Sequence, residues 1–316
     1  MKKYFQLAVA ALLIGSTLFA QKMDGEIKPK LVTTNPAPTD FFFSNKATKP
    51  DKLDREAPVV ITQFNVTLPQ DQEFYARTGS GKVDNSTDAQ VLLRFHISNL
   101  DKAKFQKATD ELANYLKERL QAQGFKVGNY TDFSSGKKYS DMELKPAPKG
   151  EIPDLFGPGS TIPGEFKLAK KAVMYSAYEQ PLYAAQSMKV GYIALEKKIN
   201  LLTFGWVLNF LEFETNSKIT YNSNSISMSF NEQLYGDPWI ICSSHNMKGS
   251  IWIQPNTTER AKDATYGYTY GRKFATKIDK ETGDVEIDND KFIAAYLELG
   301  KSYIDNMTAL MAPSSK

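Results

Sequence analysis

The sequence is poor in the side chains that build reactive or metal-binding centres. Its 316 residues include one cysteine, Cys242, and two histidines, His96 and His245. One cysteine excludes an internal disulfide, and a structural zinc site needs four Cys or His ligands. We therefore expect no metal, no cofactor and no catalytic cluster, and we expect burial of apolar side chains to stabilise the fold.

The chain also lacks a large excess of charge of either sign. The formal net charge is +3, and it falls to +1 if Lys2 and Lys3 are removed with an amino-terminal segment that holds no acid. Nucleic-acid-binding proteins carry strong basic patches, so we expect no nucleic-acid partner. No later apolar run reaches roughly 20 residues without charges or strand-like alternation, so we expect no transmembrane helix in the mature chain.

The first twenty residues have the three parts of a cleavable signal peptide. Lys2 and Lys3 form the positive region, residues 7–19 form an apolar core, and Ala20 is a small residue at the cleavage site. An uncut anchor is the alternative, but the apolar core is short for it. Without a cysteine at the cleavage site, the protein is not expected to be a lipoprotein. We predict an exported protein, located in the periplasm or associated with the outer membrane.

Composition divides the mature chain into a leader and a folded part. Residues 21–57 mix prolines with Lys, Thr and Asp and bury little apolar surface, which predicts a flexible Pro-rich leader. Residues 58–312 carry the periodic apolar patterns of a single α+β domain, with possible sub-units 58–130 and 165–312.

Periodicity predicts an antiparallel-rich sheet with two long amphipathic helices packed on it and long Pro/Gly-rich loops. Apolar residues recur every three or four positions over 101–123 and again after Asp290, the predicted cap of the second helix. Gly124 is placed to end the first helix in a left-handed conformation. Residues 182–198 fit either a helix or a strand. The predicted strands are 59–66, 91–97, 125–127, 172–178, 201–213, 219–221, 226–230, 239–243 and 251–254.

One predicted strand carries four large apolar side chains at every second position. Phe204, Trp206, Leu208 and Phe210 therefore share one face of the strand. That face requires a cover, which is a helix layer, a partner or lipid.

Residues 266–272 contain three tyrosines at every second position. In an extended chain Tyr266, Tyr268 and Tyr270 lie on one side, and Arg272 continues the row. Such a row can stack on a sugar or anchor a protein, because each tyrosine offers a large contact area and a hydroxyl. It can equally cover a sheet face. We predict these four residues as ligand-binding residues for a protein or glycan partner.

Other motifs fail on spacing or context. The segment 79–82 lacks the glycine and the Ser or Thr of a phosphate-binding loop. The acidic run 279–290 lacks the order of a calcium loop, so we predict a hairpin turn over residues 279–284. Cys242 lies in an apolar run and is predicted to be a buried thiol. His245 follows two serines, but the side chains of neighbouring residues in an extended chain do not meet, so we predict no Ser/His catalytic pair there.

Glu212 and Glu214 share a strand face and are the best candidates for carboxylate catalysis. Paired carboxylates serve glycoside hydrolysis when their separation is correct. A solvated strand edge explains the same alternation.

The unit of strands and a helix over residues 58–130 supports one family resemblance. It ends in the run Leu120-Gln121-Ala122-Gln123-Gly124-Phe125-Lys126-Val127. It resembles the periplasmic α/β domains of the curli-channel (CsgG-like) family and of the TolB amino-terminal type, in which an amphipathic helix also precedes a Gly-Phe-x-Val strand. The resemblance implies a role in envelope assembly and carries over no functional residue. The lipid-bearing cysteine of the curli-channel family is absent here.

These patterns together predict an exported, non-enzymatic cell-envelope protein that binds a protein or glycan partner. Two alternatives stay open. One is a secreted carboxylate-dependent hydrolase, and the other is an outer-membrane oligomeric pore component in which residues 204–210 face lipid. The sequence gives no oligomeric state.

Overall fold

The fold is α+β, as the sequence predicts. The computed structural model describes residues 30–31, 41–43, 53–77, 90–142, 144–145, 151–153, 171–178, 180–181, 183–219, 224–246, 248–255, 264–265, 267–268, 274–279 and 281–312. The helices are α1 (Lys102–Ala122), α2 (Tyr130–Ser134), α3 (Lys137–Ser140), α4 (Tyr183–Lys197) and α5 (Asn289–Met311). The strands are β1 (Lys30–Leu31), β2 (Phe41–Phe43), β3 (Val59–Pro69), β4 (Asp71–Arg77), β5 (Gln90–Ile97), β6 (Leu144–Lys145), β7 (Glu151–Pro153), β8 (Lys171–Ser176), β9 (Gln180–Pro181), β10 (Asn200–Ile219), β11 (Asn224–Ser243), β12 (Ser250–Pro255), β13 (Ala264–Thr265), β14 (Gly267–Tyr268), β15 (Ala275–Ile278) and β16 (Asp284–Ile287).

Two sheets form the framework. The main sheet has the order β2-β12-β11-β10-β3-β8-β7, and β14 adds to β11. Its central pair β3 and β10 is parallel, and its other pairs are antiparallel. The second sheet has the order β15-β16-β5-β4. Because β4 follows β3 after a single residue, one stretch of chain serves both sheets.

Helices α1 and α5 cover one face of the main sheet. Phe105 of α1 stacks on Tyr296 of α5 at a ring distance of 4.5 Å, and Tyr296 stacks on Trp206 of β10 at 5.4 Å. Gly300 lets the two helices approach closely, since a Cβ there would lie 2.5 Å from Cδ1 of Leu112. The aromatic face of β10 is therefore covered by a helix layer rather than by lipid or a partner. Its residues Phe204, Trp206, Leu208 and Phe210 are all buried.

Local capping explains where these helices begin. The Asp101 carboxylate accepts from the backbone N–H of Lys104, and Gly124 after α1 has a φ of 82°. The cap of α5 is Asp288, whose carboxylate accepts from Lys291 N. The prediction of Asp290 as this cap is wrong, and Asp290 lies in the first turn instead.

A smaller core lies around α2, α3 and α4. It joins Val60 of β3 to Phe133, Tyr139, Val190 and Ile193. Residues 182–198, which the sequence left open, therefore fall mainly in a helix, because this tertiary packing buries one side of α4. The predicted loop over 131–169 contains the short helices α2 and α3.

The strand predictions differ from the structure in two places. The segment 125–127 contributes only an isolated bridge between Val59 and Val127. The four runs predicted between 201 and 243 are two strands of 20 residues each, β10 and β11.

Residues 53–57, assigned to the leader by composition, are part of the packed structure. Leu53 and Ala57 are buried. The fully buried Asn200 donates to Asp54 O at 2.6 Å and to Ala57 O at 3.3 Å. Within the ranges given above, no helix has the length and apolarity needed to cross a membrane.

Candidate functional site

The feature that stands out is a β-hairpin that runs beyond the main sheet. β10 pairs with β3 only as far as Val207, whereas the β10–β11 ladder continues to the pair Ile219–Asn224. We call residues 211–219 and 224–232 the β-arm. It has nine residue pairs, a length of roughly 30 Å at the rise of an antiparallel strand. Among the described strands, none pairs with either edge of the β-arm.

The β-arm has two chemically different faces. In an antiparallel ladder, directly opposed residues share a face and the face alternates along the strand. One face holds the pairs Leu211–Glu232, Phe213–Phe230, Thr215–Met228, Ser217–Ile226 and Ile219–Asn224. The other holds Glu212–Asn231, Glu214–Ser229, Asn216–Ser227 and Lys218–Ser225, and every one of its positions is polar.

An irregularity in the ladder separates the β-arm from the root of the hairpin. The pair Asn209–Tyr235 is followed by Leu211–Glu232, so β11 carries one extra residue there. On β10 the helix-covered face includes Phe210, and the apolar face of the β-arm includes Phe213. Strand alternation therefore puts the two apolar sets on opposite sides of β10.

The root is held by close backbone contacts. A Cβ at Gly236 would lie 1.9 Å from the carbonyl oxygen of Val207, so only glycine fits there. The Tyr303 hydroxyl of α5 donates to Gly236 O at 3.4 Å. At the first pair of the β-arm, next to the root, the Glu232 carboxylate accepts from Ala275 N at 3.0 Å. The β-arm thus grows from a rigid base.

A second hairpin, β4–β5, leaves the main sheet beside this root. β3 and β10 are parallel neighbours, and β4 continues β3, so both hairpins start at the same end of the main sheet. Buried Gln72 donates from Nε2 to Oδ1 of Asn209 at 3.1 Å. The β4–β5 ladder has seven pairs, with Phe74–Leu93 and Ala76–Val91 on one face and both Glu73–Arg94 and Tyr75–Leu92 on the other.

The predicted ligand-binding row lies almost wholly outside the described residues. Tyr266, Tyr270 and Arg272 are not described. The backbone of Tyr268 is, and it pairs with Leu234 of β11. This position is next to the root of the β-arm.

Each histidine meets one carboxylate in the structure. His96 Nδ1 contacts Asp71 Oδ1 across the β4–β5 ladder. His245 Nδ1 lies 3.7 Å from Asp54 Oδ2, and its backbone N–H donates to Asn200 Oδ1 at 3.1 Å. The neighbouring Ser244 hydroxyl donates to Asn246 Oδ1 at 2.7 Å, so it is not directed at the imidazole. These contacts tie segments of the fold together.

The remaining candidates have structural roles or are not described at the level of side chains. Cys242 is fully buried, and burial raises the pKa of its thiol to about 12. The Asp279 carboxylate accepts from Glu281 N and Thr282 N, which makes the predicted hairpin turn and lowers its pKa. Over the part of the chain with described side chains, no three potential ligands gather to hold a metal ion. Glu212 and Glu214 lie on the polar face of the β-arm.

Sequence reasoning missed the β-arm although the signal was present. Leu211, Phe213 and Ile219 occupy odd-numbered positions of the first strand, and Ile226, Met228 and Phe230 alternate with two serines in the second. The Asn and Ser residues between these apolar positions were interpreted as turns, whereas those within 211–219 and 224–232 are paired positions of one continuous ladder, most of them on its polar face. Comparison of the chain with protein-family models, curated proteins and solved structures finds no match.

Proposed function

We propose that the protein is a non-enzymatic cell-envelope component that binds another protein through the β-arm. The observation that carries this proposal is the nine-pair ladder that no described strand continues on either side. A two-stranded ribbon is marginally stable alone in water, so a ribbon of this length is best explained by a partner that completes it.

The physical basis of such binding is main-chain pairing. Each edge of a ribbon presents N–H and C=O groups that an added strand satisfies. Side chains on alternate faces then select the partner, here through an apolar face around Phe213 and Phe230 and a polar face around Glu214 and Ser229. Edge pairing requires a polypeptide, so it favours a protein over a glycan as the partner.

Export is the second part of the proposal. The signal-peptide pattern of residues 1–20 supports it, and so does the resemblance of residues 58–130 to periplasmic domains.

Site-specific cross-linking tests the proposal in the producing cell. A photoreactive amino acid at Asn216 or Ser227 should give a discrete adduct in the envelope fraction. The same group at Lys107, an exposed position on α1, should give none. An equal adduct from Lys107, or no adduct from the β-arm, would contradict the proposal.

A shortened variant separates binding from stability. Replacing residues 213–230 with Asn-Gly closes the hairpin in the favoured two-residue turn after the Glu212–Asn231 pair. Thermal unfolding should stay close to that of the unaltered chain, because the buried core lies in the root. A photoreactive amino acid at position 268, in the retained root, should cross-link the partner in the unaltered chain. The same probe should give no adduct in the shortened variant.

A second candidate function is the outer-membrane oligomeric pore component. The face alternation favours it, since lipid-facing strands are apolar on one side and polar on the other and need roughly 9–11 residues. The β-arm strands have nine each. The surface directed at lipid would be the apolar face of the β-arm, not residues 204–210.

Vesicle flotation discriminates between the two candidates. Vesicles of phosphatidylcholine and phosphatidylglycerol should carry the chain upward only if the β-arm inserts. Changing Phe213 and Phe230 to Asn should then abolish flotation, and the matched changes Glu214→Gln and Ser229→Asn should preserve it. A chain that never floats fits protein binding alone. The carboxylate-dependent hydrolase stays a prediction. If a hydrolytic activity is found, replacing Glu212 and Glu214 with Gln should abolish it.

A further inference from the structure

Asp110 of α1 is a half-buried carboxylate that no cation of the described chain neutralises. Gln106 Nε2, one turn earlier, donates to Asp110 Oδ1 at 2.8 Å. Among the described residues, no lysine, arginine or histidine pairs with Asp110, and burial raises the pKa of its carboxyl. A carboxylate that is taken partly out of water without a counter-charge costs free energy, so a cation from outside the chain would be bound favourably there.

Two other carboxylates of the same helix layer do have cations of their own. Glu111, the next residue of α1, lies 2.7 Å from Lys301 Nζ, and it is exposed to solvent. Asp305 of α5 lies 2.7 Å from Arg119 Nε. Lysine and arginine are therefore placed beside carboxylates that water already solvates in part, whereas the half-buried Asp110 has none.

The groups beside Asp110 are rich in hydrogen-bond acceptors. Ser176 O of β8 accepts from the same Gln106 Nε2 at 2.9 Å, so the amide joins α1 to β8. Ser176 Oγ donates to Tyr178 O at 2.8 Å and holds the chain where it leaves β8. Burial, followed by the charge of Asp110, raises the pKa of Tyr178, so the Tyr178 hydroxyl lies within electrostatic reach of the carboxylate. Such surroundings suit a ligand with several N–H donors.

Aromatic rings fix the position of Tyr178. The ring of Tyr130 stacks on it at a centroid distance of 4.9 Å and an interplanar angle of 12°. The Tyr130 hydroxyl shares a hydrogen bond of 2.7 Å with the hydroxyl of Tyr139. An aromatic side chain near a carboxylate favours an organic cation, which has apolar carbon as well as charge. A metal ion is not favoured, because the described side chains bring no three potential ligands together.

We propose that Asp110 and Tyr178 form a binding site for a small organic cation that carries an ammonium or guanidinium group. The Asp110 carboxylate supplies the opposite charge and a charge-assisted hydrogen bond. The Tyr178 hydroxyl oxygen is a second acceptor, and Gln106 positions the carboxylate. The site involves no residue of the β-arm, so it does not depend on the proposed function.

Nuclear magnetic resonance of the Gln106 side-chain amide tests the proposal, because this amide donates to Asp110. Titration of the chain with n-butylammonium or ethylguanidinium chloride should shift the amide signal until it saturates. Tetramethylammonium chloride carries the same charge but no N–H donor, so it should bind about tenfold more weakly or not at all. An equal response to all three salts, or no saturable response to the first two, would overturn the proposal.

A charge-removing variant makes the test specific for Asp110. Asp110→Asn keeps an oxygen that can accept from Gln106 and removes the charge, so affinity for both cations should fall by about tenfold or more. Its melting temperature should not fall, because the variant also removes an unpaired, half-buried charge. Glu118→Gln, at an exposed position of the same helix, is the control and should bind like the unaltered chain. Unchanged affinity in Asp110→Asn would show that the cation binds elsewhere.

A peptide arm distinguishes a small ligand from the side chain of a protein. The peptide acetyl-Gly-Arg-Gly-amide carries the same guanidinium group as ethylguanidinium on a longer chain. Because Asp110 is half-buried where α1 meets β8, the peptide should bind no more tightly than ethylguanidinium. Binding of the peptide that is tighter by about tenfold or more would assign the site to an arginine of a protein and overturn the small ligand.

Discussion

The root and the β-arm of the β10–β11 hairpin are built from the same two strands but have different surroundings. In the root, β3 and β12 flank the pair and helices α1 and α5 cover one face. In the β-arm beyond its first pair, the two strands pair only with each other among the described strands. On β10, large apolar residues occupy every second position in both halves, over 204–210 in the root and at Leu211 and Phe213 in the β-arm. The pattern thus specifies a strand with two unlike faces, and only the neighbours decide whether the apolar face becomes core or contact surface.

Thiol labelling should give the largest contrast between the two halves. Burial raises the pKa of Cys242 in the root to about 12. A cysteine introduced by Ser229→Cys lies in the β-arm of the same strand. At pH 8 the introduced thiol should react with a disulfide reagent on the order of a thousandfold faster, because the thiolate is the nucleophile. Equal rates in the folded protein would mean that the root opens as readily as the β-arm.

Truncation of one large side chain in each half should affect stability very differently. Trp206→Ala removes a ring that packs on Tyr296 and Tyr303, so the free energy of unfolding should fall by about 3–5 kcal/mol. Phe213→Ala in the β-arm should cost less than about 1 kcal/mol. Denaturant unfolding measures both. A comparable loss in the second variant would show that the β-arm belongs to the cooperative core.

The junction between the halves is sensitive at Gly236. Gly236→Ala would push a methyl group against Val207 O and should lower the free energy of unfolding by about 1–3 kcal/mol. Gly124→Ala is the control, because its φ of 82° is unfavourable but no atom lies within 4 Å. It should cost about 1 kcal/mol. If the control is the more damaging change, the contact at the junction is not a tight one.

The smallest effect should come from a helix cap remote from the hairpin. The backbone N–H of Lys291, followed by its side chain, lowers the pKa of the Asp288 carboxyl below its ordinary 3.8. The ionised Asp288 cap therefore contributes fully to the free energy of unfolding above the pKa of the unfolded chain, and this contribution is lost as pH falls through the lower pKa of the folded protein. Asp288→Asn keeps a capping oxygen and removes the charge. The acid-induced part of the unfolding curve should flatten slightly below about pH 4.

Local signals explain which elements the sequence predicts well. The first long helix was predicted over 101–123 and runs from Lys102 to Ala122, because its period, its Asp101 cap and Gly124 all act within a few residues. Which layer covers residues 204–210 depends on tertiary packing, so the sequence left three possibilities open: a helix layer, a partner or lipid. The same holds for residues 182–198, where packing on Val60 and Phe133 decides for a helix.

The candidate site was harder to predict than the fold. Predicting the β-arm requires knowing that 211–219 and 224–232 pair with each other and that β3 departs after Thr67. Neither fact is local. The tyrosine row was predicted from its two-residue spacing, and of its members only the backbone of Tyr268 is described, beside the hairpin root. The envelope role and the family resemblance stay predictions.

The contact between Arg55 and Met311 has a consequence for the order in which the protein reaches its final form. The Arg55 guanidinium donates to the last carbonyl of α5 at 2.9 Å, across 256 residues of chain. The central strands β3 and β10 are also far apart in sequence. Few native contacts form early in such a topology, so folding is slow and waits for nearly the whole polypeptide. During synthesis from the amino terminus, the contact of Arg55 and the cover over β10 become available only after residues 289–311 have been made.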